Sequence, residues 1–130
     1  MSQTDVENLK AGFDAYNDGD FERMLDLWDE DVELVRLGGG DPMRGKEAIR
    51  SWLAPEAIDQ RGKPIEFRDY GGRVLVTCDW HTHGRGSGVD FDTRIYFLFT
   101  MRGGKVARLE AFGEEQEALE AAGLRGKKAI

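Results

Sequence analysis

The 130-residue sequence has only one cysteine, Cys78, so no disulfide can form within the chain. It has no uninterrupted apolar run long enough to cross a bilayer, and residues 1–10 show no apolar stretch behind a basic start. A membrane span and a secretory leader are therefore not expected. Basic residues are outnumbered, 18 against 25 acidic ones, which gives a net charge of -7. Nucleic-acid affinity comes largely from Lys and Arg neutralising phosphates, so DNA and RNA are poor partners for this chain. Internal repeats and low-complexity linkers are also missing. These absences leave a cytoplasmic protein read as one domain over residues 1–130, with residues 124–130 a fraying tail.

What is present is ordinary globular material: 40% hydrophobic residues, with 7 Phe, 3 Trp and 3 Tyr. The most organised stretch is residues 73–101, two alternating runs joined by the glycine-rich GRGSG. In the first run Val74, Val76, Cys78 and Trp80 share one face, while Thr77, Asp79, His81 and His83 share the other. In the second, Thr93, Ile95, Phe97, Phe99 and Met101 oppose Asp92, Arg94, Tyr96 and Thr100. Pairing like face with like face sets Trp80 against Thr93, Cys78 against Ile95, Val76 against Phe97 and Val74 against Phe99. The polar partners are then His81 with Asp92, Asp79 with Arg94 and Thr77 with Tyr96. A one-residue slip would mix apolar and charged groups on both faces, so the pattern specifies the register. Cys78 falls on the apolar face and reads as a small buried hydrophobe.

The apolar face of this ribbon needs cover, which the rest of the chain supplies. Thr4 and Glu7 form a capping box ahead of Leu9, Phe13 and Tyr16 at helical spacing, giving a first helix to about Asn17. NDGD turns the chain into a short second helix marked by Phe21, Met24, Leu25 and Trp28, and residues 32–37 read as a first strand. RGKEAIRSWL reads as a third helix stopped by Pro55, and AIDQRGKP as a loop. A second strand carries Ile65, Phe67 and Tyr70. After the central hairpin, residues 105–112 form the last strand and residues 114–122 a terminal helix ended by Gly123. The order predicts an α+β fold with helices segregated from an antiparallel meander, and helices one and three on its apolar face. A curved sheet closed at one end by helices leaves a cone that can hold a ligand.

The segments NDGDFERMLDLWDEDVEL, RGKEAIRSWL, RGGKVARLEAF and EALEAAGL resemble the SnoaL-like branch of the nuclear transport factor 2-like superfamily, which also includes ketosteroid isomerases and limonene epoxide hydrolases. The resemblance spans nearly the whole chain and rests on framework motifs. It implies a cone-shaped curved antiparallel sheet packed on N-terminal helices, a cystatin-like roll, together with frequent homodimers and a hydrophobic small-molecule ligand. Carried over residue by residue, the isomerase tyrosine falls on Gly12, its aspartate base on Arg36 and its oxyanion-binding aspartate on Phe97. The cyclase and epoxide hydrolase aspartate falls on Ala111, and the epoxide hydrolase arginine and aspartate on Arg73 and Leu75. The inherited proton-transfer groups are thus missing from the pocket wall, and such chemistry needs them.

The expected pocket wall is Tyr16, Trp28, Arg36, Trp52, Trp80, Phe97, Phe99 and Ala111. Tyr16 lies one turn beyond Gly12 on the same helix face and offers a hydroxyl. Arg36 supplies a positive end, which favours an anionic hydrophobic ligand. No cofactor is expected. His81 and Asp79 are the weaker candidates for a base and its orienter, in an alternative reading as an isomerase, cyclase or hydrolase. His-x-His on one strand face is one way to hold zinc. Asp79 and His83 stand about 13 Å apart at strand spacing, however, and no metal site is expected.

Overall fold

A computed structural model describes residues 2–53, 58–84, 88 and 90–123. Six strands form one curved, unclosed sheet in the order β2-β1-β6-β5-β4-β3. They are β1 (Trp28–Val35), β2 (Met43–Arg44), β3 (Ile58–Asp69), β4 (Arg73–Gly84), β5 (Asp90–Arg102) and β6 (Lys105–Phe112). The helices are α1 (Ser2–Asn17), α2 (Phe21–Leu25), α3 (Lys46–Trp52) and α4 (Glu115–Ala121). The pairing of β1 with β6 is parallel and the other pairings are antiparallel.

The β4–β5 register is the one that the alternation demands: Val74 faces Phe99, Val76 faces Phe97, Cys78 faces Ile95, Asp79 faces Arg94 and His81 faces Asp92. The turn between them lies largely at residues 85–87, outside the described residues, as do Pro55 and the 124–130 tail. Val74, Val76, Cys78, Phe99 and Met101 enter one core with Leu9 and Phe13 of α1, Met24 and Leu25 of α2, and Ile49 of α3. Each fully buried apolar side chain of this size contributes roughly 1.5–3 kcal/mol relative to exposure. Asp20 starts α2 by accepting the Arg23 N–H at 3.2 Å, and Arg50 of α3 grips Glu22 with two hydrogen bonds of 2.6 and 3.0 Å.

Three local expectations need correction. Residues 58–64 are strand, not loop, and their loop-like residues have structural reasons. A Cβ on Gly62 would come within 2.6 Å of the Trp80 ring, so glycine is what lets β3 pass that ring. Pro64 sits at a register shift on an edge strand, where its missing N–H removes no required ladder bond. Trp28 opens β1 rather than closing α2: Val106 donates its N–H to the Leu27 carbonyl at 3.0 Å, drawing this stretch into the parallel pairing with β6. α1 begins at Ser2, two residues before the capping-box threonine. The expected placement of the first and third helices holds, since α1 and α3 pack on the apolar face, and α4 takes the other one. Leu75 and Leu98 pair across the polar-row face of the hairpin, and α4 covers them with Ala118, joined by Tyr96 and Phe112.

Candidate functional site

On the apolar face of the sheet, α1 and the strands β3, β4 and β5 meet in a cluster of aromatic rings, called the cup below. Phe13 of α1 contacts Phe67, Phe97 and Phe99, and Phe97 also meets Phe99 and Trp80, while Tyr16 stacks between Trp80 and Phe21. Their ring centroids lie 5.4 to 6.4 Å apart in tilted and edge-on arrangements, the geometry that aromatic quadrupoles prefer. Lys10 adds a cation 5.4 Å from the Phe67 centroid. Phe13 and Phe99 are buried, whereas Tyr16, Phe67, Trp80 and Phe97 are half-buried. Between Tyr16 and Gln60 the polar contact is a neutral one, the Tyr16 hydroxyl lying 3.4 Å from Gln60 Oε1, a long contact. Burial pushes the Tyr16 hydroxyl up to about 12, so it remains a donor across the physiological range.

Of the residues expected in the pocket, Tyr16, Trp80, Phe97 and Phe99 come together, and Ala111 stands opposite Phe97 in the β5–β6 ladder. Three others sit elsewhere. Trp28 is buried at the start of β1, paired with Val106, three strands away from β4, which carries Trp80. Trp52 is 46% exposed on α3. Arg36 lies just beyond β1 and is exposed, because the ladder with β6 ends at the Val35–Glu110 pair and holds nothing over it. Phe13, Phe21, Phe67 and Gln60 belong to the cup although sequence reasoning did not place them there. Phe13 was accessible from its three-residue spacing to Tyr16 on one helix face; Gln60 was hidden by the misread loop.

The catalytic candidates face the other way. Asp79 accepts from Arg94 Nε at 3.0 Å and Nη2 at 2.9 Å, so it does not orient His81. His81 instead places Nδ1 2.7 Å from Asp92 Oδ1. That hydrogen bond, reinforced by the charges of Asp92 and Asp90, holds the imidazole above its ordinary range. A cleft of about 340 Å³ next to them is lined by Asn17, Arg61, Lys63, Asp79, His81 and Asp92. A larger one, about 690 Å³, lies among Asp31, Glu33, Arg44, Arg102 and Arg108, where Glu33 is shared by Arg44 at 2.9 Å and by Arg108. Among the described residues no group of three His, Cys, Asp or Glu side chains is placed to hold a metal. Cys78 is buried, and its thiol is pushed up to about 12 by desolvation, which rules it out as a ready nucleophile. No helix of the described residues is long and apolar enough to cross a membrane.

This architecture has close structural counterparts. TerC, solved with polyporic acid, is 27% identical with a TM-score of 0.76, over 90% of this chain and 96% of its own. A polyketide cyclase candidate from Xanthomonas campestris pv. campestris superposes with a TM-score of 0.80 at 22% identity, over 92% of this chain and 96% of its own. SalBIII, an epoxide hydrolase/cyclase-like enzyme of pyran ring formation in salinomycin, matches at 18% identity with a TM-score of 0.79, over 88% and 93% of the two chains. A search of curated proteins gave no significant match. The SnoaL-like domain family matches residues 9–109, from within α1 to within β6, and the chain belongs to that family.

Proposed function

We propose that the protein binds a small hydrophobic molecule at the open end of the aromatic cup, against Trp80 and Phe97, with the Tyr16 hydroxyl as donor to a ligand oxygen. The observation that carries this reading is the ring network itself: its floor, Phe13 and Phe99, is buried, while Tyr16, Trp80 and Phe97 keep exposed surface above it. A planar ligand can add to such a network by stacking or edge contact. Its oxygen would displace the long Tyr16–Gln60 contact at little cost. The relative solved with polyporic acid makes an organic acid the natural first probe.

Arg36 belongs to the proposal as a rim residue. It follows Val35 with the parity of Leu34, a residue of the main core, and strand geometry continued one residue past the Val35–Glu110 pair would bring it toward Ala111, the partner of Phe97. Because it is exposed, solvent screens it, and its preference for an anionic ligand is about 0–1 kcal/mol. Binding is favoured over chemistry because the cup residues contribute neutral side chains, while His81 and Asp79 are engaged by Asp92 and Arg94 on the convex face. No cofactor enters the proposal.

Calorimetry with polyporic acid on the wild type and on Trp80→Leu tests it. The expected result is saturable binding that weakens about ten-fold or more when the indole is lost, the equivalent of roughly 1.4 kcal/mol of ring contact. Equal affinity in the two proteins would remove the cup as the site. A homodimer is part of the same proposal, with light scattering as its check. The polar row of the hairpin offers little surface for its interface at the α4 end, since Thr77 is buried and Tyr96 packs under α4.

A further inference from the structure

The chain has two histidines, His81 and His83, and both lie on the convex face of β4 against carboxylates of β5. His81 Nδ1 is 2.7 Å from Asp92 Oδ1, and His81 Nε2 is 3.4 Å from Asp90 Oδ1. That same Asp90 oxygen is 2.6 Å from His83 Nδ1. A neutral imidazole has one N–H and one lone pair, so between two carboxylates it donates to one and turns its lone pair on the other. Only the imidazolium satisfies both. The geometry therefore selects a proton at His81.

The surrounding charges leave that proton in place. On β3, Arg61 stands opposite His81 and lines the same cleft, with its Nη1 donating to the Asn17 carbonyl at 3.0 Å. Asp59 stands opposite His83, and Lys63 stands opposite Asp79. Arg94 of β5 is committed to Asp79 at 2.9 Å. On this face the helix α4 packs on Leu75 and Leu98, below Thr77, so the convex side of the far end carries ion pairs where the near end carries a helix.

We propose that Asp92, His81, Asp90 and His83 form a proton-binding site that holds the far end of the β4–β5 hairpin closed when His81 is charged and lets it open when His81 loses its proton. The sign follows from linkage. His81 is raised above its ordinary 6.5, first by the Asp92 hydrogen bond, so its contribution is complete below that pH and is lost as pH rises through the raised value. Asp90 is lowered below 3.8, first by the His83 hydrogen bond, so its contribution is complete above that pH and is lost as pH falls through the lowered value. Both ties are in place between those two ordinary values. Trp80 lies between Asp79 and His81 with its ring in the cup, so, on the reading of the cup as a ligand site, this wall becomes pH-dependent.

Nuclear magnetic resonance tests the proposal without any ligand, which separates its fate from that of the cup. The two imidazoles are titrated while amide exchange, corrected for its intrinsic rate, is followed on β4 and β5. One imidazole should titrate above 6.5 and return toward it in Asp92→Asn. Protection of the amides of residues 79–83 and 91–95 should fall as that imidazole deprotonates, by up to about ten-fold per pKa unit of its shift. Protection at Leu75 and Leu98, under α4, should stay constant and shows that the variant is folded. Both imidazoles titrating at the ordinary value, or far-end protection indifferent to the titration, would overturn the proposal.

Discussion

The convex face of the β4–β5 hairpin is built in two ways. Below and including Thr77, Leu75 and Leu98 are 0% and 1% exposed, packed with Ala118 of α4, and Arg68 ties β3 to Glu115 at 2.8 Å. Above it, the Asp79–Arg94, His81–Asp92 and His83–Asp90 pairs occupy the same strands in the same ladder, with side chains 42% to 80% exposed and none of the described helices over them. Backbone pairing is therefore common to both halves, and what differs is the cover. Packing sets the stability of the lower half, whereas charge and protonation tune the upper one. On the opposite face of the same upper residues the aromatic cup supplies the apolar contact, so Trp80 joins a packed surface to a titratable one.

The comparison predicts graded effects. Leu98→Ala should be the most damaging, at about 3 kcal/mol, because it empties a fully buried site between sheet and helix. A urea melt showing less than about 1 kcal/mol would mean that α4 does not pack there in solution. Gly62→Ala comes next, at about 1–3 kcal/mol, since the added methyl meets the Trp80 ring and the alanine must keep the double hydrogen bond with the Asn17 amide, of 2.7 and 2.9 Å. Pairing it with Trp80→Leu should recover part of the loss, and additive costs would break the assigned contact. Arg94→Gln should be the mildest, a change in melting temperature that shrinks in 1 M salt, where screening acts over about 3 Å. A large, salt-independent loss would show that the upper half is held by packing after all.

Much of this was legible from alternation. The hairpin register, its two faces and the last strand, residues 105–112, follow from period-two patterning, because a one-residue slip exposes core on both sides. Less visible were features whose cause is tertiary. Gly62 and Pro64 look like loop residues until the Trp80 ring and the sheet edge are in place. Leu75 and Leu98 are a lone apolar pair in a polar row, and nothing local announces the helix that covers them. Of the candidate site, the Tyr16–Trp80–Phe97 contact was within reach of helical and strand spacing. Trp52 and Arg36 are exposed, because residue type indicates a preference for the pocket while chain position, at the end of α3 and beyond the end of β1, decides exposure.

The central claim is that the concave cup, and not the charged convex cleft, takes the ligand. Chemical-shift mapping during a titration with polyporic acid at a fixed pH near 6 tests it most directly. The account predicts the largest shifts at Tyr16, Gln60, Trp80 and Phe97, with smaller ones at Arg36. Shifts concentrated instead at Arg61, Lys63, His81 and Asp92 would contradict it.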